Sequence, residues 1–155
     1  DGVAKGYIVD RAGDKLKRAG LKNALINAGG NILAWGNSPA GKPWRIGVQD
    51  PWRPGQWLKV IALTDKAVAT SGSYERFFDQ KHDFHHLLDP KTGWPAGRLV
   101  SASVVASTAV LADAMSTAVF VNPGTLKKKN HTEGMTITRN NLQTFTPGFK
   151  KLLIG

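Results

Sequence analysis

The sequence contains no cysteine, and this absence removes several classes of chemistry at once. Without a thiol the chain cannot form a disulfide, a thiolate metal site, an iron–sulfur cluster or a cysteine nucleophile. Acidic residues are also scarce, because 11 Asp and Glu residues face 21 Lys and Arg residues and leave a formal net charge of +10. This excess favours anionic partners without identifying one.

Long apolar runs are missing as well. The segment that comes closest to membrane length, 102–121, contains six Ser, Thr and Asp residues and is too polar for an isolated spanning helix. A strand followed by a buried helix explains it better. The chain opens at Asp1 without the apolar stretch of a signal peptide. Its 155 residues, of which 41% are hydrophobic, are enough for one domain with its own core.

The common glycine-rich signatures are absent too. Gly36 and Gly41-Lys42 have the spacing of a phosphate-binding P-loop, but Pro43 replaces the Ser or Thr that would bind Mg²⁺. Because the following residues alternate like a strand and not like a helix, this segment is predicted to be a hairpin loop. There is no G-x-G-x-x-G or G-x-S-x-G motif, so the sequence offers no argument for a dinucleotide-binding or serine-hydrolase fold.

Hydrophobic periodicity and turn residues predict an α+β fold with a mostly antiparallel sheet and two principal helices. The first helix covers 4–19, and the second runs from a cap at Ser107 or Thr108 to about Val121. The faces expected to be buried consist of Ile8, Ala12, Leu16 and Ala19 in the first helix and of Leu111, Met115 and Val119 in the second. Strands are predicted at 24–26, 32–35, 44–48, 57–63, 66–71, 100–106 and 135–138, with irregular structure over 79–97.

Histidines gather in the irregular segment. His82, His85, His86 and Asp89 fall within eight residues, which zinc could use, but a His-rich loop without cysteine is a weak zinc signal. Histidines exposed in a loop are the simpler interpretation. The run from His86 to Gly93 nevertheless combines a base, a carboxylate, a Pro-fixed turn and a glycine, which indicates a shaped loop.

Asp113 and Thr117 lie four residues apart in the second predicted helix and therefore project from one face. A buried carboxylate must pair, bind a metal or become neutral. Two oxygen donors, together with backbone carbonyls and a substrate phosphate, would suit Mg²⁺. The spacing alone equally allows an Asp on the helix surface and a Thr hydrogen-bonded to its own helix.

Five motifs, taken in order, resemble those of the ApbE family of FAD:protein FMN transferases and cover residues 1 to about 121. They are Ala4-Lys5-Gly6-Tyr7 with Asp10, Asn27-Ala28-Gly29-Gly30, Thr70-Ser71-Gly72-Ser73-Tyr74-Glu75, His86-Leu87-Leu88-Asp89-Pro90-Lys91-Thr92-Gly93 and Ala112-Asp113-Ala114-Met115-Ser116-Thr117-Ala118. Their order and spacing are far more specific than any single motif.

This resemblance implies that residues 1–155 form a single domain or fragment with the family's N-terminal half absent. The chain would then be the C-terminal half of a larger ApbE-like domain of the T-fold type. Two positions depart from the family pattern: Asp1 stands where a glycine is usual, and His85 replaces a serine.

The resemblance also implies a site and a reaction. The implied site residues are Asp113, Thr117 and the main-chain carbonyl of Gly2 for Mg²⁺, Lys5 and the main chain of Leu87 for the nucleotide, and His86 as the general base. FAD would be split at its pyrophosphate, FMN would pass to a threonine of an acceptor flavoprotein, and AMP would be released.

The missing half of the family's pocket leaves an alternative function, a catalytically incomplete FAD-binding module or an FAD pyrophosphatase. A second polypeptide could supply that half. The resemblance further implies the bacterial cell envelope as the location, either the periplasm or the outer face of the cytoplasmic membrane, as a membrane-associated lipoprotein. Nucleic acid is not an expected partner, because the basic residues are spread along the chain and form no stripe interleaved with aromatics.

Overall fold

The computed structural model describes residues 2–80, 83–127 and 131–154, so that Asp1 and His82 lie outside the described residues. Within these ranges the α-helices are Ala4–Arg18 (α1), Ala109–Val121 (α2) and Pro147–Lys150 (α3). The strands are Ala24–Ala28 (β1), Asn31–Trp35 (β2), Trp44–Gln49 (β3), Trp57–Leu63 (β4), Lys66–Gly72 (β5), Leu99–Ala106 (β6), Glu133–Thr138 (β7) and Gln143–Phe145 (β8). Short 3-10 helices cover Ser73–Glu75 and Pro123–Lys127.

Six strands form one sheet in the order β1-β2-β5-β6-β7-β8, and every neighbouring pair is antiparallel. Strands β3 and β4 form a separate antiparallel hairpin. The predicted α+β fold, with a mostly antiparallel sheet and two principal helices, is therefore confirmed. Segment 36–43 connects β2 to β3, which belong to different sheets, so the predicted hairpin loop there is wrong.

The sheet separates two apolar layers. Helices α1 and α2 pack on one face, where small side chains such as Ala67, Ala69 and Ala106 let the helices approach closely. The β3–β4 hairpin packs on the opposite face through residues that include Ile46 and Ile61. Burial on both faces explains why the central strands contain few charged residues.

Helix α1 buries a different face from the one expected. Gly6, Val9 and Gly13 are its buried residues, whereas Ile8 is 64% exposed and Ala19 is also exposed. A Cβ atom on Gly6 would lie 2.7 Å from Val110 Cα, so the two helix backbones nearly touch at this point. At Gly6 this close contact with α2 leaves no room for a side chain, and a pattern of apolar residues cannot report such a contact.

Helix α2 follows its prediction more closely. Val119 is fully buried as predicted, and Leu111 and Met115, each less exposed than buried, pack against the neighbouring apolar clusters. The buried face also contains Ala112, Asp113, Ser116 and Phe120, in addition to Ala109. The helix begins at the predicted cap, because the Thr108 hydroxyl accepts a hydrogen bond from the Leu111 amide at 3.3 Å.

The C-terminal segment is more ordered than its sequence suggested. Strand β8 pairs with β7, and α3 follows it with Phe149 fully buried between the sheet and the hairpin. No helix in the described ranges is both long and apolar enough to span a membrane.

Candidate functional site

A cleft of about 920 Å³ opens beside the α2 helix. It is lined by the start of α1, the middle of α2, the end of β5, the β3–β4 hairpin and the loop around residue 87. All six residues singled out from the sequence line it, namely Gly2, Lys5, His86, Leu87, Asp113 and Thr117. Residues that are up to 115 positions apart in the chain thus meet at one site.

Two carboxylates connect α1 to α2 by hydrogen bonds beside this cleft. Asp113 Oδ2 accepts a hydrogen bond from the Gly6 amide at 2.9 Å. In return, the carboxylate of Asp10 accepts from the amides of Ala109 and Val110 at 2.8 and 2.9 Å. Asp10 therefore satisfies donors at the N-terminus of α2, where a negative charge is also favoured by the helix dipole.

Asp113 is 5% exposed, which makes the interpretation of an Asp on the helix surface wrong. Its Oδ2 is held by Gly6, and no donor among the described residues reaches its Oδ1. Thr117 lies one turn further along α2, and a Cβ atom on Gly2 would stand 3.5 Å from Thr117 Oγ1. A carboxylate, a hydroxyl and the main chain of Gly2 are therefore neighbours.

This donor set fits a hard divalent cation. All of its atoms are oxygen, and Mg²⁺ is bound in proteins by one or two carboxylates supplemented by water and substrate phosphate. The zinc interpretation has no support, since no three His, Cys, Asp or Glu side chains come together as ligands within residues 2–80, 83–127 and 131–154. The metal-binding roles of Asp113, Thr117 and Gly2 remain a prediction.

His86 is exposed and lines the same cleft. Its Nδ1 lies 3.4 Å from the carbonyl oxygen of Arg76. A carbonyl can only accept, so this hydrogen bond places the hydrogen of the neutral ring on Nδ1 and leaves the lone pair of Nε2 free. The arrangement suits a group that accepts a proton.

His85 supports this loop from inside. It is 1% exposed, and its Nδ1 accepts a hydrogen bond from the Leu87 amide at 3.2 Å. Its ring meets Phe120 of α2 edge-on, with centroids 5.7 Å apart. Burial lowers the pKa of His85, an interaction with the main chain of Ala96 partly opposes this shift, and the positive charge of Arg139 adds to it. The neutral ring thus ties the loop to α2.

The cleft also contains residues that the sequence analysis missed. Arg45 and Trp57 come from the β3–β4 hairpin, and Arg76 comes from the segment after β5. Together with Lys5, the two arginines give the cleft three cationic side chains, which suit a phosphate-bearing ligand. Tyr74 lies over Gly72, and burial raises the pKa of its phenol, which therefore stays protonated as a hydrogen-bond donor.

Only Tyr74 among these residues carried a local signal, because it belongs to the Thr70–Glu75 motif. The hairpin residues reach the cleft through tertiary packing. No local pattern of spacing or composition reports such a placement.

Comparison with known sequences identifies relatives. The profile of the ApbE family matches residues 1–135. The FAD:protein FMN transferase of Haemophilus influenzae is 38% identical over 123 residues, which are 77% of this chain and 36% of that protein. The FAD:protein FMN transferase of Escherichia coli K12 is 31% identical over 163 aligned positions, covering 99% of this chain and 46% of that protein.

Solved structures agree with the sequence relatives. The ApbE protein of Thermotoga maritima superposes with a TM-score of 0.91 at 33% identity, covering 99% of this chain and 52% of that chain. The flavin transferase ApbE of Vibrio cholerae superposes with a TM-score of 0.79 at 28% identity, covering 97% and 51%. The chain thus spans about a third to a half of the length of these relatives. Since the family profile covers most of the sequence, the chain belongs to the ApbE family.

Proposed function

We propose that this chain provides the metal-binding and proton-accepting part of an FAD:protein FMN transferase. One observation carries the proposal: a single cleft is lined by His86, whose Nδ1 faces the Arg76 carbonyl, and by Asp113 and Thr117, which supply oxygen donors. The substrate is FAD, and the acceptor is a threonine hydroxyl of a flavoprotein. The relatives bear the name of this activity.

In the proposed reaction, the threonine oxygen attacks the phosphorus of the FMN half of FAD. The phosphoanhydride bond to the AMP half breaks, and AMP leaves with the bridging oxygen. The hydroxyl proton passes to Nε2 of His86, whose Nδ1 hydrogen is directed at the Arg76 carbonyl. Atoms balance as threonine plus FAD giving FMN-threonine plus AMP.

Charged groups around the cleft would hold the pyrophosphate. Lys5 at the start of α1 and Arg45 on β3 both line the cleft, and Leu87 lines it as well. Mg²⁺ would be held by Asp113, Thr117 and the carbonyl of Gly2, and when bound it would neutralise charge on the phosphate oxygens. The chain's own contribution is to orient the nucleotide and to remove the acceptor proton.

The proposal also covers the part of the flavin pocket that this chain does not supply. Because the relatives are two to three times as long as the matched segment, we propose that a further polypeptide segment completes the flavin pocket, either in the same protein or in a second one. We also propose a site of action at the bacterial cell envelope, on the periplasmic side or the outer face of the cytoplasmic membrane. Cell fractionation with detection of this chain tests the location.

Substitution of His86 tests the function. His86→Ala should lower FMN transfer to a threonine-containing acceptor by ~10² to 10⁴, the range for loss of one general base. FAD affinity should change little, because the proposed role of the ring is to accept the proton, whereas other groups of the cleft would hold the phosphates. The readouts are covalent flavin fluorescence on the acceptor, AMP release and FAD binding, all measured on the protein with its complete pocket.

The outcomes separate the alternatives. Transfer at the wild-type rate by His86→Ala would contradict the role of His86. AMP release by the wild type without flavin on the acceptor would identify an FAD pyrophosphatase. FAD binding without AMP release would identify a binding module.

A further inference from the structure

A chain of hydroxyl groups lies behind Thr117. Ser71, on β5, places its Oγ 3.1 Å from Thr117 Oγ1 and 2.9 Å from Ser116 Oγ. Ser116 Oγ in turn lies 2.9 Å from the main-chain carbonyl oxygen of Asp113. Ser71 and Ser116 are 8% and 1% exposed, so these bonds form almost entirely out of contact with water.

The hydrogens of these three hydroxyl groups can be arranged in one direction only. A carbonyl oxygen accepts, so Ser116 donates its single hydroxyl hydrogen to Asp113. Ser116 must then accept from Ser71, because it has no second hydrogen. Ser71 has thereby used its own hydrogen and must accept from Thr117. Each hydroxyl therefore donates to the next group inward, from Thr117 to Ser71, from Ser71 to Ser116 and from Ser116 to the Asp113 carbonyl.

We infer that Ser71 is a positioning residue, which orients the Thr117 hydroxyl so that its lone pairs and not its hydrogen face the cleft. A hydroxyl binds a cation through a lone pair, and a hydrogen directed at the cation would oppose binding. The inference rests on the metal site proposed above, in which Ser71 would contact the ligand Thr117 and not the cation itself. Such outer partners fix the orientation of the ligands that they contact.

Asp113 takes part in both halves of this arrangement. Its carboxylate is oriented by the Gly6 amide, and its main-chain carbonyl receives the last hydrogen of the hydroxyl chain. The two side chains that would bind the cation are thus oriented independently, Asp113 from α1 and Thr117 from β5. Removal of Ser71 should therefore affect Thr117 and leave the carboxylate in place.

Titration with Mn²⁺ alone, followed by electron paramagnetic resonance, tests this inference without relying on activity. Ser71→Ala removes the acceptor for the Thr117 hydrogen, and we expect Mn²⁺ affinity to fall 10- to 100-fold, the usual cost of losing an outer partner. Ser71→Thr keeps a hydroxyl at this position and should restore most of the affinity. Unchanged Mn²⁺ affinity in Ser71→Ala would overturn the inference.

Ser103→Ala is the matched control. Ser103 lies on β6 next to β5 and is also buried, but its hydroxyl pairs with Thr70 Oγ1 at 2.7 Å instead of with α2. The Mn²⁺ affinity of the Ser103→Ala variant should match that of the wild type. An equal loss in Ser103→Ala would show a general effect on stability and would also overturn the inference.

Asp113→Asn distinguishes failure of Ser71 from failure of the metal site. If Asp113→Asn and the wild type respond identically to Mn²⁺, the proposed metal site is wrong. If Asp113→Asn loses Mn²⁺ binding while Ser71→Ala keeps it, the metal site stands and the role of Ser71 is wrong.

Discussion

His85 and His86 are consecutive residues in opposite environments. The ring of His86 is exposed in the cleft, whereas the ring of His85 is enclosed between the Leu87 amide and Phe120. A buried imidazole without a carboxylate partner disfavours its charged form. One histidine is therefore accessible from the cleft, as its proposed role requires, and the other is held neutral as a structural link.

This difference predicts a pH dependence of stability. Burial lowers the pKa of His85 below its ordinary value of 6.5, so the unfolded chain binds that proton more readily than the folded chain. The free energy of unfolding should be unaffected at high pH and should fall as the pH drops through about 6.5, with a slope of at most ~1.4 kcal/mol per pH unit for one proton.

Urea unfolding between pH 8 and pH 5.5 measures this slope. His85→Asn keeps an acceptor near the Leu87 amide and removes the titrating ring, so its slope should be flatter than that of the wild type. His86→Asn, at the exposed neighbour, should retain most of the slope. A wild-type slope that survives in His85→Asn would assign the pH effect to another group.

At the level of elements, the contact between α1 and α2 positions the candidate metal ligands. The two helices approach until Gly6 lies against the main chain of Ala109 and Val110, and this approach brings the Gly6 amide to Asp113. A second glycine, Gly13, faces side-chain atoms instead of main chain, and the nearest of them is the end of the Leu33 side chain. The two glycines of α1 thus have different reasons to lack a side chain.

Alanine at each glycine tests this difference. Gly6→Ala should destabilise the protein, because its Cβ would overlap main-chain atoms of α2 that cannot shift independently. Gly13→Ala should be nearly neutral or stabilising, since Ala is favoured over Gly by ~1 kcal/mol in a helix interior. Thermal unfolding of both variants gives the comparison, and an equal loss in both would contradict the proposed main-chain contact.

The same two helices show what the sequence could and could not predict. Their bounds followed from periodicity and caps, and the Asp113–Thr117 pair followed from helical spacing, because these are local properties. The buried face of α1 was missed, because a pattern of large apolar residues cannot report a contact made at a glycine. Arg45 and Trp57 in the cleft were missed for a related reason: their position depends on how the hairpin packs on the sheet.

At the level of the whole molecule, the C-terminal segment joins the hairpin to the main sheet. The Ala62 amide donates to the Leu152 carbonyl at 2.7 Å, and the Ile154 amide donates to the Val60 carbonyl at 3.0 Å. Phe149 is fully buried beside Ile61 in the same apolar cluster. In the described part of the chain, β3 and β4 pair with no strand of the six-stranded sheet.

Phe149 is therefore predicted to be a major source of stability. Phe149→Ala should lower the free energy of unfolding by ~3–5 kcal/mol, the cost of emptying a packed aromatic site. Phe78→Ala is the control, since Phe78 is 69% exposed and its loss should change stability by less than ~0.5 kcal/mol. Denaturant unfolding measures both, and a small effect at Phe149 would mean that the tail contributes little to the fold.

The attachment of the hairpin by its tail has a consequence for amide hydrogen exchange. A unit that is held by side-chain packing and a few tail hydrogen bonds can open without breaking the six-stranded sheet, so the amides of β3, β4 and residues 152–154 should exchange together and before those of β5 and β6. The hairpin contributes Arg45, Gly47 and Trp57 to the cleft, so this opening would dismantle one wall of it. A nucleotide bound in the cleft should then slow exchange in residues 152–154, although these residues are not among those that line the cleft.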